Sequence, residues 1–245
     1  MNVGEHGLLL LGCGKMGSAL LAGWLKSGLL PDAITVLDPH PSEWLTGLAE
    51  RRLRLNQQPD EPPSVAVIAT KPQIMAEALP GLRDYGNGPT LFISIAAGTL
   101  ISTFEDMLGA NTPVVRTMPN TPAAVGAGIS ALVANHATSA GQLDLAEQLM
   151  LSVGETVVLD QEGMMHAVTA ISGSGPAYVF AMTEALAKAG EELGLSAEIA
   201  AKLSVGMVAG SGRLMSSSSE APARLREQVT SPNGTTAAGL EKLFA

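Results

Sequence analysis

The stretch Gly12-Cys13-Gly14-Lys15-Met16-Gly17 constrains this chain more than any other. It is a GxGxxG run with a short apolar segment directly before it, Gly7–Leu11. A helical pattern follows over Gly17–Ser27, where Ala19, Leu20, Ala22, Gly23 and Trp24 recur at helical spacing. In a strand–turn–helix each glycine has its own task. The first permits a tight turn, the second lets backbone approach a pyrophosphate, and the third lets the helix lie close on the strand. The helix N-terminus then offers unpaired N–H groups and the positive end of its dipole to phosphate. In that setting Gly12, Cys13, Gly14, Lys15, Met16 and Gly17 are expected to hold a dinucleotide.

The rest of the first half repeats the alternation. Ala33–Leu37, Ser64–Ala69, Thr90–Ile95 and Pro113–Thr117 read as buried strands, with helices over Glu43–Arg54 and Gln73–Leu82. Nearly continuous apolar strands alternating with helices predict a parallel sheet covered on both faces. Ile129–Val133 and Glu155–Leu159 add two later strands around a helix over Thr138–Ser152. After Asp160 the chain turns rich in Ala, Met, Leu and Gly, and long helices are expected over Ala177–Leu193 and Glu198–Met215, with a break at Ser216–Ser219. Closely spaced Ala and Gly let such helices approach one another or a second chain.

Asp38 closes the second strand, 21 residues after Gly17. A carboxylate there can hydrogen-bond the ribose 2′-OH of NAD and repel the 2′-phosphate of NADP. It can equally be the Asp of a strand-ending Asp-Pro turn, and the residues alone leave both readings open.

Composition excludes several classes of function. Hydrophobic residues make up 46% and charged residues 15%, which is no disordered tail. Lys plus Arg number 14 against 23 Asp plus Glu, a formal charge of −9 that repels phosphate backbones. Two Trp, two Tyr and four Phe offer few platforms for base stacking, so nucleic acid is not expected as a partner. Cys13 is the only cysteine and cannot form an internal disulfide, which fits a reducing compartment. The sole stretch that could pass for a leader or a membrane span, Leu8–Leu30, is interrupted by Gly12, Gly14, Lys15, Gly17 and Lys26. A cytoplasmic protein with no membrane segment and no metal is the expectation.

Five further segments narrow the reading. They are Ala69-Thr70-Lys71-Pro72-Gln73, Ser94-Ile95-Ala96-Ala97-Gly98, Arg116-Thr117-Met118-Pro119-Asn120-Thr121-Pro122, Ser172-Gly173-Ser174-Gly175-Pro176-Ala177-Tyr178 and Val229-Thr230-Ser231-Pro232-Asn233-Gly234-Thr235-Thr236. In this order and at these separations, from Leu8 to Leu243, the chain resembles the pyrroline-5-carboxylate reductase family. The resemblance implies reduction of (S)-1-pyrroline-5-carboxylate to L-proline with NADPH or NADH. It implies an α/β fold, a Rossmann-type dinucleotide-binding domain over 1–160, followed by an all-α helical dimerisation domain over 161–245 that completes the substrate pocket. It also implies a homodimer, with larger rings of dimers in some family members.

The same resemblance assigns roles by segment. Ala69, Thr70, Lys71 and Pro72 line the cofactor, although Lys71 can also be simply solvated. Ala96, Ala97 and Gly98 follow a strand, and their small side chains leave room for a flat ring. Met118, Pro119 and Asn120 belong to Met118–Pro122, which cannot be helical because its two prolines restrict their neighbours, and form either a rigid loop over the substrate or a plain strand exit. Ser172 or Ser174 can cap a helix beginning near Pro176, and Ser174 and Gly175 there face a substrate carboxylate. Ser231, Gly234, Thr235 and Thr236 form the substrate loop, with Thr236, the catalytic candidate, near the ring nitrogen. Asn233 replaces the family's usual Gly or Ala, a position where Asn tolerates positive φ, and Glu220 is out of register with a family acid. The chain ends at Ala245, before the last helical segment that the family generally carries.

The residue inventory fits an imine. His6, His40, His136 and His166 all lie outside the motif loops, and Lys188 is too far beyond Ser172–Tyr178 to serve as the lysine of a β-hydroxyacid dehydrogenase. A cyclic imine arrives protonated and already electrophilic, so hydride addition needs orientation more than proton abstraction. The rivals are a β-hydroxyacid-dehydrogenase-like oxidoreductase and a non-catalytic nucleotide-binding scaffold.

Overall fold

Four consecutive leucines, Leu8–Leu11 (β1), form the central strand of the sheet, and all four are buried. Successive side chains of a strand point to opposite faces, so both faces must be covered. Leu8 and Leu10 accordingly enter a cluster with Trp24, Leu45 and Leu149, and Leu9 and Leu11 enter another with Phe92, Phe104 and Leu79. The structure, a computed structural model, describes residues 3–244.

After β1 the chain runs through Lys15–Lys26 (α1), Ile34–Leu37 (β2), Glu43–Ala49 (α2), Arg54–Leu55 (β3), Val65–Ile68 (β4), Met75–Ala78 (α3) and Leu91–Ser94 (β5). Ile101–Leu108 (α4), Val114–Met118 (β6), Gly128–Ala134 (β7), Ala140–Leu151 (α5), Gly154–Val158 (β8) and Met165–Val168 (α6) follow. Among the described residues these strands form one eight-stranded sheet in the order β3-β2-β1-β4-β5-β6-β7-β8. β1 pairs in parallel with both β2 and β4, in the registers Leu8↔Ile34 and Leu8↔Val65. The chain thus reverses its direction of winding at β1, which opens a crevice at the carboxyl ends of β1 and β4. α1 is fixed to the far half of the sheet by Trp24, whose Nε1 donates to the Leu149 carbonyl at 3.0 Å.

The sheet is mixed where a wholly parallel one was expected. β7 runs antiparallel to β6, with Met118 opposite Ala131, and β8 is parallel to β7. The link 119–127 holds only a short 3₁₀ turn, Thr121–Val125, ended by left-handed Gly126, and is too short for a parallel crossover. Other boundaries shift for local reasons. The helix expected over Glu43–Arg54 stops at Ala49, and Arg52 at φ 76° turns the chain into the edge strand β3. The helix expected over Gln73–Leu82 survives only as α3 between 3₁₀ turns, because Pro80 offers no N–H to the ladder. α4, with Ile101, Phe104 and Leu108 buried, carries a helical stripe that sequence reading passed over.

By backbone contacts the chain forms two compact units, Met1–Pro176 and Ala177–Ala245. The second holds most of Gly175–Glu192 (α7), then Ala197–Ser217 (α8), Pro222–Gln228 (α9) and Thr235–Leu243 (α10). α7 ends where left-handed Gly194, at φ 96°, allows the Leu195 N–H to return to the Gly190 carbonyl at 3.1 Å. Ser196 then caps α8 by accepting the Ile199 N–H at 3.3 Å. A Cβ on Gly190 would stand 3.1 Å from that of Ala200, so small residues set the approach of α7 to α8. Phe180, Leu186, Leu203 and Val205 remain exposed along these two helices. Among the described residues no helix is long and apolar enough to cross a membrane.

Candidate functional site

A cavity of about 300 Å³ opens at the carboxyl edge of the sheet. It brings together three sequence-distant segments: Gly14, Lys15 and Met16 from the glycine loop, Ala69–Pro72 after β4, and Ile95–Ala97 after β5. Met118 and Pro119, at the end of β6, complete the lining. Of these, Ile95 alone carries no expected site role, although it lies in the segment Ser94–Gly98 beside Ala96.

The three glycines do what the spacing requires. Gly12 sits at φ 88°, where a Cβ would lie 3.0 Å from the Thr70 methyl. A Cβ on Gly17 would meet the Gly12 carbonyl oxygen at 2.5 Å, so the close approach of α1 to β1 depends on its absence. A Cβ on Gly14 would meet nothing within 4 Å and would project into the open groove. Gly14 precedes α1 without any side-chain cap, which leaves the helix N-terminus open to an anion. The Thr70 hydroxyl is buried with no hydrogen-bond partner among the described residues, a polar atom that a bound group would satisfy. An open glycine cradle, an uncapped helix end and an orphaned hydroxyl in one groove fit a dinucleotide.

Cys13 and Asp38 brace this loop from behind. Asp38 Oδ2 accepts the Cys13 N–H at 2.6 Å, and Oδ1 accepts the His40 N–H at 2.8 Å. Burial pushes the Cys13 thiol above its ordinary range, the Asp38 charge adds to this, and the hydrogen bond with Ser18 opposes it. A thiol so held is neutral at neutral pH and presents no negative charge to a pyrophosphate. Gly98, left-handed at φ 73°, closes the turn after β5 and lies outside the groove lining.

Beyond β6 the loop residues divide. Met118 and Pro119 face the groove, whereas Asn120 is buried, 8% exposed. Its Oδ1 accepts the Ile129 N–H at 2.9 Å and its Nδ2 donates to the Ser172 carbonyl at 3.2 Å. Ser172 lies inside a π turn, and Ser174, in right-handed helical conformation, stands between that turn and α7. α6 runs on through a π turn over Thr169–Gly173, where the Ser174 N–H donates to the Thr169 carbonyl at 2.8 Å. The Ser172 hydroxyl donates back to the Val168 carbonyl at 3.1 Å. Ser174 and Gly175 are partly exposed just past this turn. Arg116, in the same segment as Met118, is nearly buried and bonds Glu162 at 2.7 Å, and Glu162 also accepts the Ile101 N–H at 2.9 Å. That brace joins β6 to the start of α4 and was not evident in the sequence.

In the helical unit, Ser231, Asn233 and Gly234 form a turn closed by the Gly234 N–H on the Ser231 carbonyl at 3.1 Å. Asn233 takes φ 61°, as its side chain allows. Gly234 precedes α10 with no side-chain cap, and Thr235 and Thr236 are its first two residues, both exposed. Among the described residues the Thr236 hydroxyl has no hydrogen-bond partner, so a hydroxyl and the first N–H groups of a helix are presented together.

Residues 162–245 match the family profile described as pyrroline-5-carboxylate reductase dimerisation. Residues 8–98 match the profile described as NADP oxidoreductase coenzyme F420-dependent. A curated pyrroline-5-carboxylate reductase of Pseudomonas aeruginosa is 39% identical, over 96% of this chain and 87% of its own length. The solved structure of a pyrroline-5-carboxylate reductase from Coxiella burnetii matches with a TM-score of 0.88 at 32% identity, covering 98% of this chain and 90% of that one. The Plasmodium falciparum pyrroline carboxylate reductase, solved with NADP bound, matches with a TM-score of 0.84 at 30% identity, covering 98% and 89%. Identity at this level across almost the whole length, with a shared fold, has one reading: the chain belongs to the pyrroline-5-carboxylate reductase family.

Proposed function

We propose that this chain reduces (S)-1-pyrroline-5-carboxylate to L-proline, using NADPH or NADH, as the last step in making that amino acid. The observation that carries this is the groove in which Gly14, Thr70, Ala97 and Met118 meet, in a chain 39% identical over 96% of its length to a named reductase of this reaction. When bound, the reduced nicotinamide supplies the hydride. The residues of the chain hold, orient and shield the reactants.

In this reading Gly12–Gly17 take the pyrophosphate on the open N-terminus of α1, and Lys15 and Lys71 add positive charge at the groove lip. Thr70 hydrogen-bonds the cofactor, and Ala69, Pro72, Ala96 and Ala97 leave space for its rings, with Gly98 allowing the turn that presents Ala96 and Ala97. Met118, Pro119, Ser174 and Gly175 border the substrate, with Asn120 supporting them. Ser231, Gly234 and Thr235 hold the substrate carboxylate through hydroxyl and N–H donors. Thr236 is the catalytic residue and hydrogen-bonds the ring nitrogen as it changes from iminium to amine. The substrate enters protonated, so no strong base is needed, in keeping with motif loops that contain no His.

In this reading the protein works in the cytoplasm as a homodimer, the unit from which larger rings of dimers are built in some family members. The functional boundary falls at 160/161, beside the start of the dimerisation match at 162. Incubation with the imine and either reduced cofactor tests the reaction through loss of nicotinamide absorbance. Oxidation of neither cofactor overturns it.

A further inference from the structure

We infer that Asn120 is a positioning residue that supplies the hydrogen-bond donor Pro176 lacks, and so locks the loop after β6 to the segment Ser172–Pro176. In a helical ladder the carbonyl of residue i accepts the N–H of residue i+4. For Ser172 that partner is residue 176, and Pro176 has no N–H. The donor comes from elsewhere: Asn120 Nδ2 reaches the Ser172 carbonyl at 3.2 Å. The same side chain accepts the Ile129 N–H at 2.9 Å, which fixes which end of the amide faces Ser172. A primary amide is suited to this because it carries donor and acceptor on one rigid plane. At 8% exposed, with both ends of its amide bonded to backbone, Asn120 acts as a brace.

A second contact keys the same two segments. A Cβ on Gly173 would lie 2.7 Å from the Met118 terminal methyl, so Met118 occupies the space that a larger residue 173 would need. Between these contacts the backbone is in the π turn Thr169–Gly173, a wider turn than its flanks. The hydroxyls of Thr169 and Ser172 are spent on the Met165 and Val168 carbonyls, at 2.7 and 3.1 Å. The Ser172 carbonyl and the space beside Gly173 are therefore met from outside their own helix, by Asn120 and Met118. Met118 and Pro119 line the groove, and Ser174 and Gly175 border the substrate in the proposed reaction, so one amide sets both. The catalytic consequence rests on that proposed reaction; the coupling itself does not.

The test compares Asn120→Ala, Pro176→Ala and the double variant with the unaltered protein. Asn120→Ala leaves the part-buried Ser172 carbonyl and the Ile129 N–H without this partner and is expected to lower kcat/KM for the imine about tenfold, with NADPH affinity unchanged. Pro176→Ala alone is expected to behave like the unaltered protein. In the double variant residue 176 regains an N–H for Ser172, and the part of the loss due to that carbonyl returns, while the Ile129 N–H still lacks its acceptor. Melting temperatures follow the same order, so if Asn120→Ala fails to fold, recovery of folding in the double variant is the supporting result. Equal losses in single and double variants, or an Asn120→Ala protein with normal kinetics, overturn the inference. A lowered melting temperature with unchanged kcat and KM overturns the positioning role. If the unaltered protein turns over no imine, the proposed reaction fails while the melting comparison still judges the coupling.

Discussion

The carboxylate of Asp38 accepts the backbone N–H of Cys13 at 2.6 Å, which ties the end of β2 to the centre of the glycine loop. Its other oxygen accepts the His40 N–H two residues on, an Asx turn, and its own N–H donates to Asn56 Oδ1 at 2.8 Å. The two readings of this acid are thus not exclusive. Each oxygen has given one lone pair to the backbone and keeps another, so the same carboxylate that shapes the loop can still meet a ribose hydroxyl.

Replacing it separates the two roles. Asp38→Ser removes a negative charge that opposes a 2′-phosphate and leaves one oxygen where two N–H groups were satisfied. Affinity for both cofactors should fall, and the ratio of kcat/KM for NADPH over NADH should rise about tenfold, roughly 1.4 kcal/mol and a fraction of the Coulomb energy available at such range. Steady-state kinetics with both cofactors checks it. An unchanged ratio would leave Asp38 as a loop brace alone.

Two glycines of the same loop should respond in opposite ways. Gly17→Ala drives a methyl against the Gly12 carbonyl oxygen at 2.5 Å, backbone against which nothing flexible can yield. It should lower stability by about 1–3 kcal/mol, as overpacking does, and weaken cofactor binding with it. Gly14→Ala points its methyl into the groove, 4 Å or more from any protein atom, so the melting temperature should hold while NADPH binding is lost. Calorimetric melting alongside cofactor titration distinguishes them. A Gly14→Ala protein that binds NADPH normally would mean that the phosphates do not pass over this residue.

How much of this was legible beforehand depends on how local each signal is. The leucines of β1 and the glycines after it announced strand, turn and helix, because burial on two faces and close backbone approach are written in adjacent residues. The direction of β7 was not announced, since apolar periodicity is blind to strand direction; only the shortness of 119–127 carried it. Ser172 and Ser174 have the composition of a helix cap, yet Ser172 lies inside a π turn and Ser174 keeps right-handed helical backbone between that turn and α7. The bond of Asn120 to Ser172 was not evident because the two lie 52 residues apart. α10 went unseen because Thr235-Thr236-Ala237-Ala238-Gly239 has weak helical propensity and little apolar stripe.

Thr236 offers the sharpest kinetic test. Its hydroxyl is exposed and makes no hydrogen bond among the described residues, so Thr236→Ala removes no contact that holds the fold. Loss of a well-aimed donor to a transition state costs about 10²–10³ in rate. Thr236→Ala should therefore lower kcat by that order while the melting temperature and NADPH affinity stay in place. Normal kcat with raised KM would instead mean that the hydroxyl binds ground state and transition state alike.

Val179, Phe180, Ala187, Ala201, Val205 and Ala209 line an apolar groove of about 510 Å³ between α7 and α8, within the segment that matches the dimerisation profile. Phe180 is 65% exposed and Tyr178 62%, a cost in water that contact with a second copy would remove. None of the residues of α7 is buried within the chain, and of α8 only Ala200 and Ser204 are, among those described. Phe180→Glu places a charge on that face; burying it unpaired costs about 3 kcal/mol or more and weakens association on the order of a hundredfold. Sedimentation of dilute protein should show a dimer or a larger ring for the unaltered chain and monomers for Phe180→Glu, with imine turnover lost in proportion. A monomer with full activity would refute the proposed homodimer, and a Phe180→Glu protein that still sediments as a dimer would move the interface to another face.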